Sequence, residues 1–181
     1  VAHITERNEY ELLILPDKVY DKEIITYYSF SEYGVDIDEY SKYKELLLTY
    51  MGEGEGEDHD VSHMLRVLVL CMILADRLWV SPIHKDALFK TAVLHGAKGY
   101  VKLREEDKSE LMEYLMTYHC IEDNDIPYED DDWWECLTIL KDADALDRQR
   151  FSIRSLNSNY LRLEESEELA FYAYRLLRVK M

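Results

Sequence analysis

The sequence predicts an all-α protein, a bundle of helices, on three observations. From His59 to about Val80 apolar residues are dense on every side, with an unbroken run from Val67 to Ala75, as in a helix held in the middle of a bundle. Ser81 and Pro82 close that helix, and Pro82 also opens the next. Only 6 Gly and 3 Pro interrupt 181 residues, and no stretch demands the period-two alternation of a half-buried strand.

Taken in order, residues 1–50 form an N-terminal extension that packs on the bundle. They mix short apolar runs such as Leu12 to Leu15 with Pro16 and many aromatics, and resolve into helix from about Asp38. Residues 51–58 read as a linker in which Gly52, Gly54 and Gly56 alternate with glutamates. Glu53, Glu55 and Glu57 would repel a phosphate, so the glycines do not make a phosphate-cradling loop.

The helical domain occupies 59–181. After the helix from His59, a second runs roughly from Ile83 to Ala97, with Leu88, Phe89, Ala92 and Val93 inward and Gly96 and Gly99 as its stop. A third covers about Glu105 to His119 on a stripe of Leu111, Leu115 and Met116. The carboxylates from Glu122 to Asp132 read as a solvated turn around Pro127, without the glycine and alternating ligands of a calcium loop. A fourth helix begins at Trp133 and runs to about Leu146. A final one spans roughly Glu164 to Val179, with Leu169, Tyr172, Ala173, Leu176 and Leu177 inward. Trp133 and Trp134 are expected to anchor the core or a groove.

At 21.6 kDa the chain is long enough to bury a core without disulfide or metal staples. Acidic residues number 38 against 21 basic, a formal net charge of −17 that repels nucleic acid and anionic membrane. The longest apolar run is far short of a membrane span, and no secretory signal is visible at the start. Cys71, Cys120 and Cys136 are odd in number and lack C-x-x-C spacing, which suits a reducing, cytoplasmic setting. Tyrosine is concentrated in the N-terminal part and the last helix, a composition suited to self-association as a homo-oligomer.

Histidines carry the chemical signal. His59 and His63 share a helix face, with Arg66 one turn beyond His63. His95 and His119 fall at the ends of the next two expected helices, and Asp142 and Asp144 near the end of the fourth. Imidazoles and a carboxylate brought together from successive helix ends suit a divalent metal. The competing reading makes each histidine an ordinary, partly buried residue bonded to a backbone carbonyl. Cys120 beside His119 invites comparison with a nucleophile and its base, but neighbours on a helix point in different directions.

The order of these motifs resembles the HD superfamily of metal-dependent phosphohydrolases. The resemblance lies in H-x-x-R-V at His63 to Val67, Ala-Val-Leu-His at 92 to 95, and Lys-Asp-Ala-Asp-Ala-Leu-Asp-Arg at 141 to 148, and it covers about 58–165. It implies an HD-domain-like helical bundle and a centre for one or two divalent ions, whether manganese, iron, zinc, nickel or magnesium. By that resemblance His63, His95 and Asp144 are metal ligands, with Asp142 the nearest rival of Asp144 and His119 an additional ligand. His59 and Asp60 resemble the opening of one bacterial subgroup, which would place His59 on the substrate side.

The implied activity is hydrolysis of a small phosphorylated molecule, an ester or a nucleotide. Asp144, Arg66 and Arg148 are the candidate catalytic residues. Arg148 and Arg150 would clamp the phosphate, with Arg154 and Arg162 farther along. The family's frequent lysine falls one position early, at Lys98 with Gly99 in its place, and, more seriously, the aspartate that follows the histidine of the doublet is here Gly96. That departure keeps open an alternative, a degenerate HD domain that binds a ligand or protein without turnover.

Overall fold

A computed structural model describes residues 30–51, 58–96, 103–179 and 181. The side chains of Met51, Asp58, His59, Asp60, Glu106 and Ile153 lie outside that description, as do residues 52–57, where the linker was expected. The described residues are helical and contain no strand. The α-helices are α1 (Ile37–Met51), α2 (Asp58–Arg77), α3 (Pro82–Leu94), α4 (Glu110–Tyr118), α5 (Asp131–Asp147), α6 (Glu164–Glu168) and α7 (Ala170–Leu176). Short 3-10 turns join several of them.

Helix α2 is the axis of the bundle, as its all-round apolarity requires, and packs chiefly on α3 and α5. Every residue from Val67 to Ala75 is buried. Helix α3 also meets α1, α4 and α5, while α7 packs against α5. Leu88, Phe89, Ala92 and Val93 of α3 all enter the core as expected. No described helix is long and apolar enough to cross a membrane.

Between α2 and α3 the chain turns within four residues. The Val80 amide reaches back to Ala75 O at 3.0 Å, and Trp79 adopts a left-handed φ of 59°, the geometry that closes a helix C-terminus. Ser81 then caps α3, its hydroxyl accepting from the His84 amide at 3.4 Å, with Pro82 in the first turn. Helix α3 ends at Leu94, three residues before the expected Ala97. His95 is its C-cap, which leaves the imidazole at a helix end.

Three other expectations need correction. The helix expected from Glu105 is a 3-10 turn, Glu105–Asp107, followed by α4, because Ser109 accepts from the Met112 amide at 3.2 Å and starts the helix there. Met116 is only half-buried, and the core face of α4 is Leu111, Met112, Tyr114 and Leu115. The acidic stretch is not all solvated turn. Asp130 caps α5 by accepting from the Asp132 and Trp133 amides at 2.9 and 3.4 Å, and Asp131 and Asp132 form an acidic first turn that suits the positive end of the helix dipole. Finally, the last helix is broken at Leu169 into α6 and α7, and Leu177 is half-buried while Leu169, Tyr172, Ala173 and Leu176 are core. Trp133 and Trp134 are half-buried against the core. Cys71, Cys120 and Cys136 are free thiols, with only Cys120 exposed.

Candidate metal centre

Three helix C-termini and one helix flank meet at a single place. His95 is the C-cap of α3, His119 the C-cap of α4, and Asp144 and Asp147 lie in the last turn of α5. His63 comes from the first half of α2. Converging C-termini turn the negative ends of their dipoles toward the same point, a field that favours a cation.

One ligand atom from each of His63, His95 and Asp144 lies within 4.8 Å of the others. His63 Nε2 stands 3.2 Å from His95 Nε2 and 3.4 Å from Asp144 Oδ1. In four-coordinate geometry with bonds of ~2.0–2.1 Å, ligand atoms sit roughly 3.3–3.4 Å apart, so the two edges through His63 fit such an ion.

Tautomers decide what these nitrogens can do. His95 Nδ1 lies 2.6 Å from Ala92 O, and His119 Nδ1 lies 2.9 Å from Met116 O. A carbonyl oxygen only accepts, so both Nδ1 atoms donate and both Nε2 atoms present lone pairs. His63 Nδ1 donates to Asp147 Oδ2 at 2.7 Å, so in the neutral ring its Nε2 is likewise a lone pair. In those neutral forms two half-buried lone pairs face each other at 3.2 Å, a repulsion that a proton on His63 or a bound cation relieves. Burial and the neighbouring His63 push the His95 pKa down to about 4, so near neutral pH a proton does not fill that role on His95. A divalent ion held by His63, His95 and Asp144 would fill it.

Asp147 holds this arrangement from behind. Its side chain is 1% exposed, and besides His63 it accepts from Arg66 Nε at 2.5 Å, Arg66 Nη2 at 3.1 Å and Arg150 Nη1 at 3.2 Å. Burial alone would raise its pKa, but the hydrogen bonds from His63 and Arg66 outweigh that and keep it below the usual carboxylate range. An ionised carboxylate fixing the far nitrogen of a ligating histidine is the outer support that metal centres commonly carry.

Sequence reasoning gave Asp147 no role. The signal was present, since Asp147 lies three residues after Asp144 and Arg66 three after His63, spacings that put each pair on one helix face.

The remaining candidates fall in different places. Arg66 is buried and committed to Asp147, so it reaches the centre only through that carboxylate. Arg150 also bonds Asp147, which places it beside the centre. Arg148 is exposed and has no side-chain partner among the described residues. The His119 ring stacks edge-on to His95 with centroids 5.8 Å apart, next to the three-residue group and outside it. Asp142, the rival of Asp144, is fully buried and accepts from the Arg162 and Leu163 amides at 2.8 and 3.0 Å and from the Arg162 guanidinium at 3.2 Å. It anchors the chain ahead of α6, and Arg162 is held there and on Asp123 at 2.8 Å. The side chain of His59 lies outside the described residues.

Gly96 completes the picture. A Cβ built there falls on the terminal methyl of Met64 and 3.5 Å from its sulfur, so the residue after His63 occupies the space where a side chain after His95 would begin. Comparison with protein-family models, curated proteins and solved structures finds no match.

Proposed function

We propose that this chain is an HD-type metal-dependent phosphohydrolase acting on a small phosphate ester or nucleotide. The observation that carries the reading is the meeting of His63, His95 and Asp144, with the imidazole Nδ1 atoms already engaged as donors and the Nε2 lone pairs turned to one point. An ion bound there supplies Lewis-acid polarisation of a phosphoryl oxygen and makes a water nucleophilic near neutral pH.

The chain's own residues do the rest. Asp147 keeps His63 in the ligating tautomer, and Arg66 keeps Asp147 ionised despite its burial. Arg150 beside the centre and exposed Arg148 two residues earlier are the donors for phosphate oxygens in an otherwise acidic protein. The charge of −17 argues for a small substrate and against nucleic acid. Three free thiols suit a reducing, cytoplasmic location.

The test is elemental analysis of protein purified without chelator or metal-affinity resin, followed by phosphate release from a panel of phosphomonoesters and nucleotides. One or two equivalents of metal, lost in His63→Ala together with phosphate release, would support the reading. Gly96 favours a second reading, a degenerate domain that binds without turnover. Metal uptake with no phosphate release across the panel would move the balance to it, and failure to bind added manganese or zinc would remove the metal centre altogether.

A further inference from the structure

The pairing of Met64 with Gly96 bears on which ion the centre takes, a question that rests on the metal-centre reading above. Met64 follows His63 on α2, and Gly96 follows His95 at the end of α3. Their contact therefore lies between the two stretches that supply the imidazoles. Met64 is buried, and its methyl fills the volume into which any Cβ at 96 would project. Glycine supplies no oxygen ligand from that position, and the methyl end of Met64 would have to move aside for a side chain there.

The donors that remain are two imidazole nitrogens and one carboxylate oxygen. Imidazole surroundings suit zinc-like ions, whereas manganese and magnesium favour carboxylate and water oxygens. Three protein ligands with one open position are a common zinc arrangement. The edges of 3.2 and 3.4 Å through His63 are also longer than the about 2.9–3.0 Å between adjacent ligands of an octahedral magnesium.

We infer that Met64 and Gly96 together restrict this centre to a four-coordinate ion of zinc type, the methionine methyl holding the space from which an added carboxylate would open it to manganese.

Metal-free full-length protein is titrated with zinc(II) and with manganese(II), and its cobalt(II) form is examined by visible absorption. The wild type should bind one zinc at least ~100-fold more tightly than manganese, and its cobalt form should show the intense absorption of four-coordination. Met64→Ala/Gly96→Asp should raise manganese affinity at least ~10-fold, with Gly96→Asp alone gaining less and Met64→Ala alone gaining nothing. Zinc binding with no preference over manganese, or a folded double variant with unchanged manganese affinity, overturns the inference and leaves the metal centre standing. A wild type that binds neither ion removes the centre itself, and the inference with it. Circular dichroism establishes that the variants fold. If the double variant does not fold, the wild-type cobalt spectrum decides, and the weak absorption of six-coordination overturns the inference.

Discussion

Asp142 and Asp147 lie five residues apart on α5, and both are almost inaccessible, at 0% and 1% exposure. They do opposite work. Asp142 accepts from two backbone amides and one guanidinium, all supplied by Arg162 and Leu163, so it determines where the chain runs before α6. No donor to Asp142 turns toward the histidines, since the rest of the Arg162 guanidinium goes to Asp123 and to Tyr160 O. Among the partners of Asp147 is an imidazole whose second nitrogen faces His95 and Asp144. Asp144, between them in sequence, is 34% exposed at its side chain and lies 3.4 Å from His63 Nε2. Burial and charge therefore do not separate an anchoring carboxylate from a functional one. What separates them is whether the partner keeps an unused valence.

The largest effect should come from removing the carboxylate that supports the centre. Asp147→Ala leaves the buried Arg66 guanidinium without its counter-ion, which should lower unfolding free energy by about 3–5 kcal/mol in a urea titration. Asp147→Asn keeps an oxygen acceptor, and should instead lower metal affinity ~10–100-fold by loosening His63. Unchanged affinity in the asparagine variant would mean that Asp147 is as purely structural as Asp142.

Asp142→Ala should cost about 3 kcal/mol, since two amides and a guanidinium lose their acceptor. The metal content of the folded fraction should not change. A loss of metal at full stability would show that the two carboxylates are not separable.

Acid should weaken the metal-free protein in two windows, both readable from urea midpoints against pH. The His95 pKa falls from 6.5 to about 4 on folding, so as pH drops between those values the unfolded chain takes up the proton first and stability declines. Asp147 has a depressed folded pKa, so its contribution is complete above the unfolded carboxylate value near ~3.9 and is lost as pH falls through the folded one. His95→Gln should flatten the first window and leave the second. An unaltered slope would assign the first window to another group.

The smallest effect is expected at Arg148. It is exposed and has no side-chain partner among the described residues, so Arg148→Ala should leave stability within about 0.5 kcal/mol of wild type. If it clamps phosphate, KM should rise while metal content stays constant.

Much of the scaffold was legible because it depends on local chemistry. The all-round apolarity of Val67–Ala75 marked the central helix, Ser81-Pro82 marked the boundary between α2 and α3, and spacing of 3.6 residues identified the inner face of α3. Misreadings arose where one residue type serves two purposes. Asp130 looks like a solvated turn residue until its side chain is seen to accept from the first amides of α5. The final apolar stripe carries no breaker at Leu169, yet the chain leaves the helix there, with Leu169 itself fully buried.

The sequence by itself determined the helical class, the main inner faces and the inventory of imidazoles and carboxylates, because each follows from periodicity, capping and side-chain chemistry within a few residues. Only the tertiary structure decided which aspartate of α5 meets the histidines, that Asp147 stands behind His63 across 84 positions of chain, and that Met64 fills the space beside Gly96. Those outcomes depend on how α2, α3 and α5 cross and on the level at which each ends. A shift of one residue along any of these helices turns a side chain by about 100° and moves it by about 1.5 Å, which is enough to exchange a ligand for an anchor.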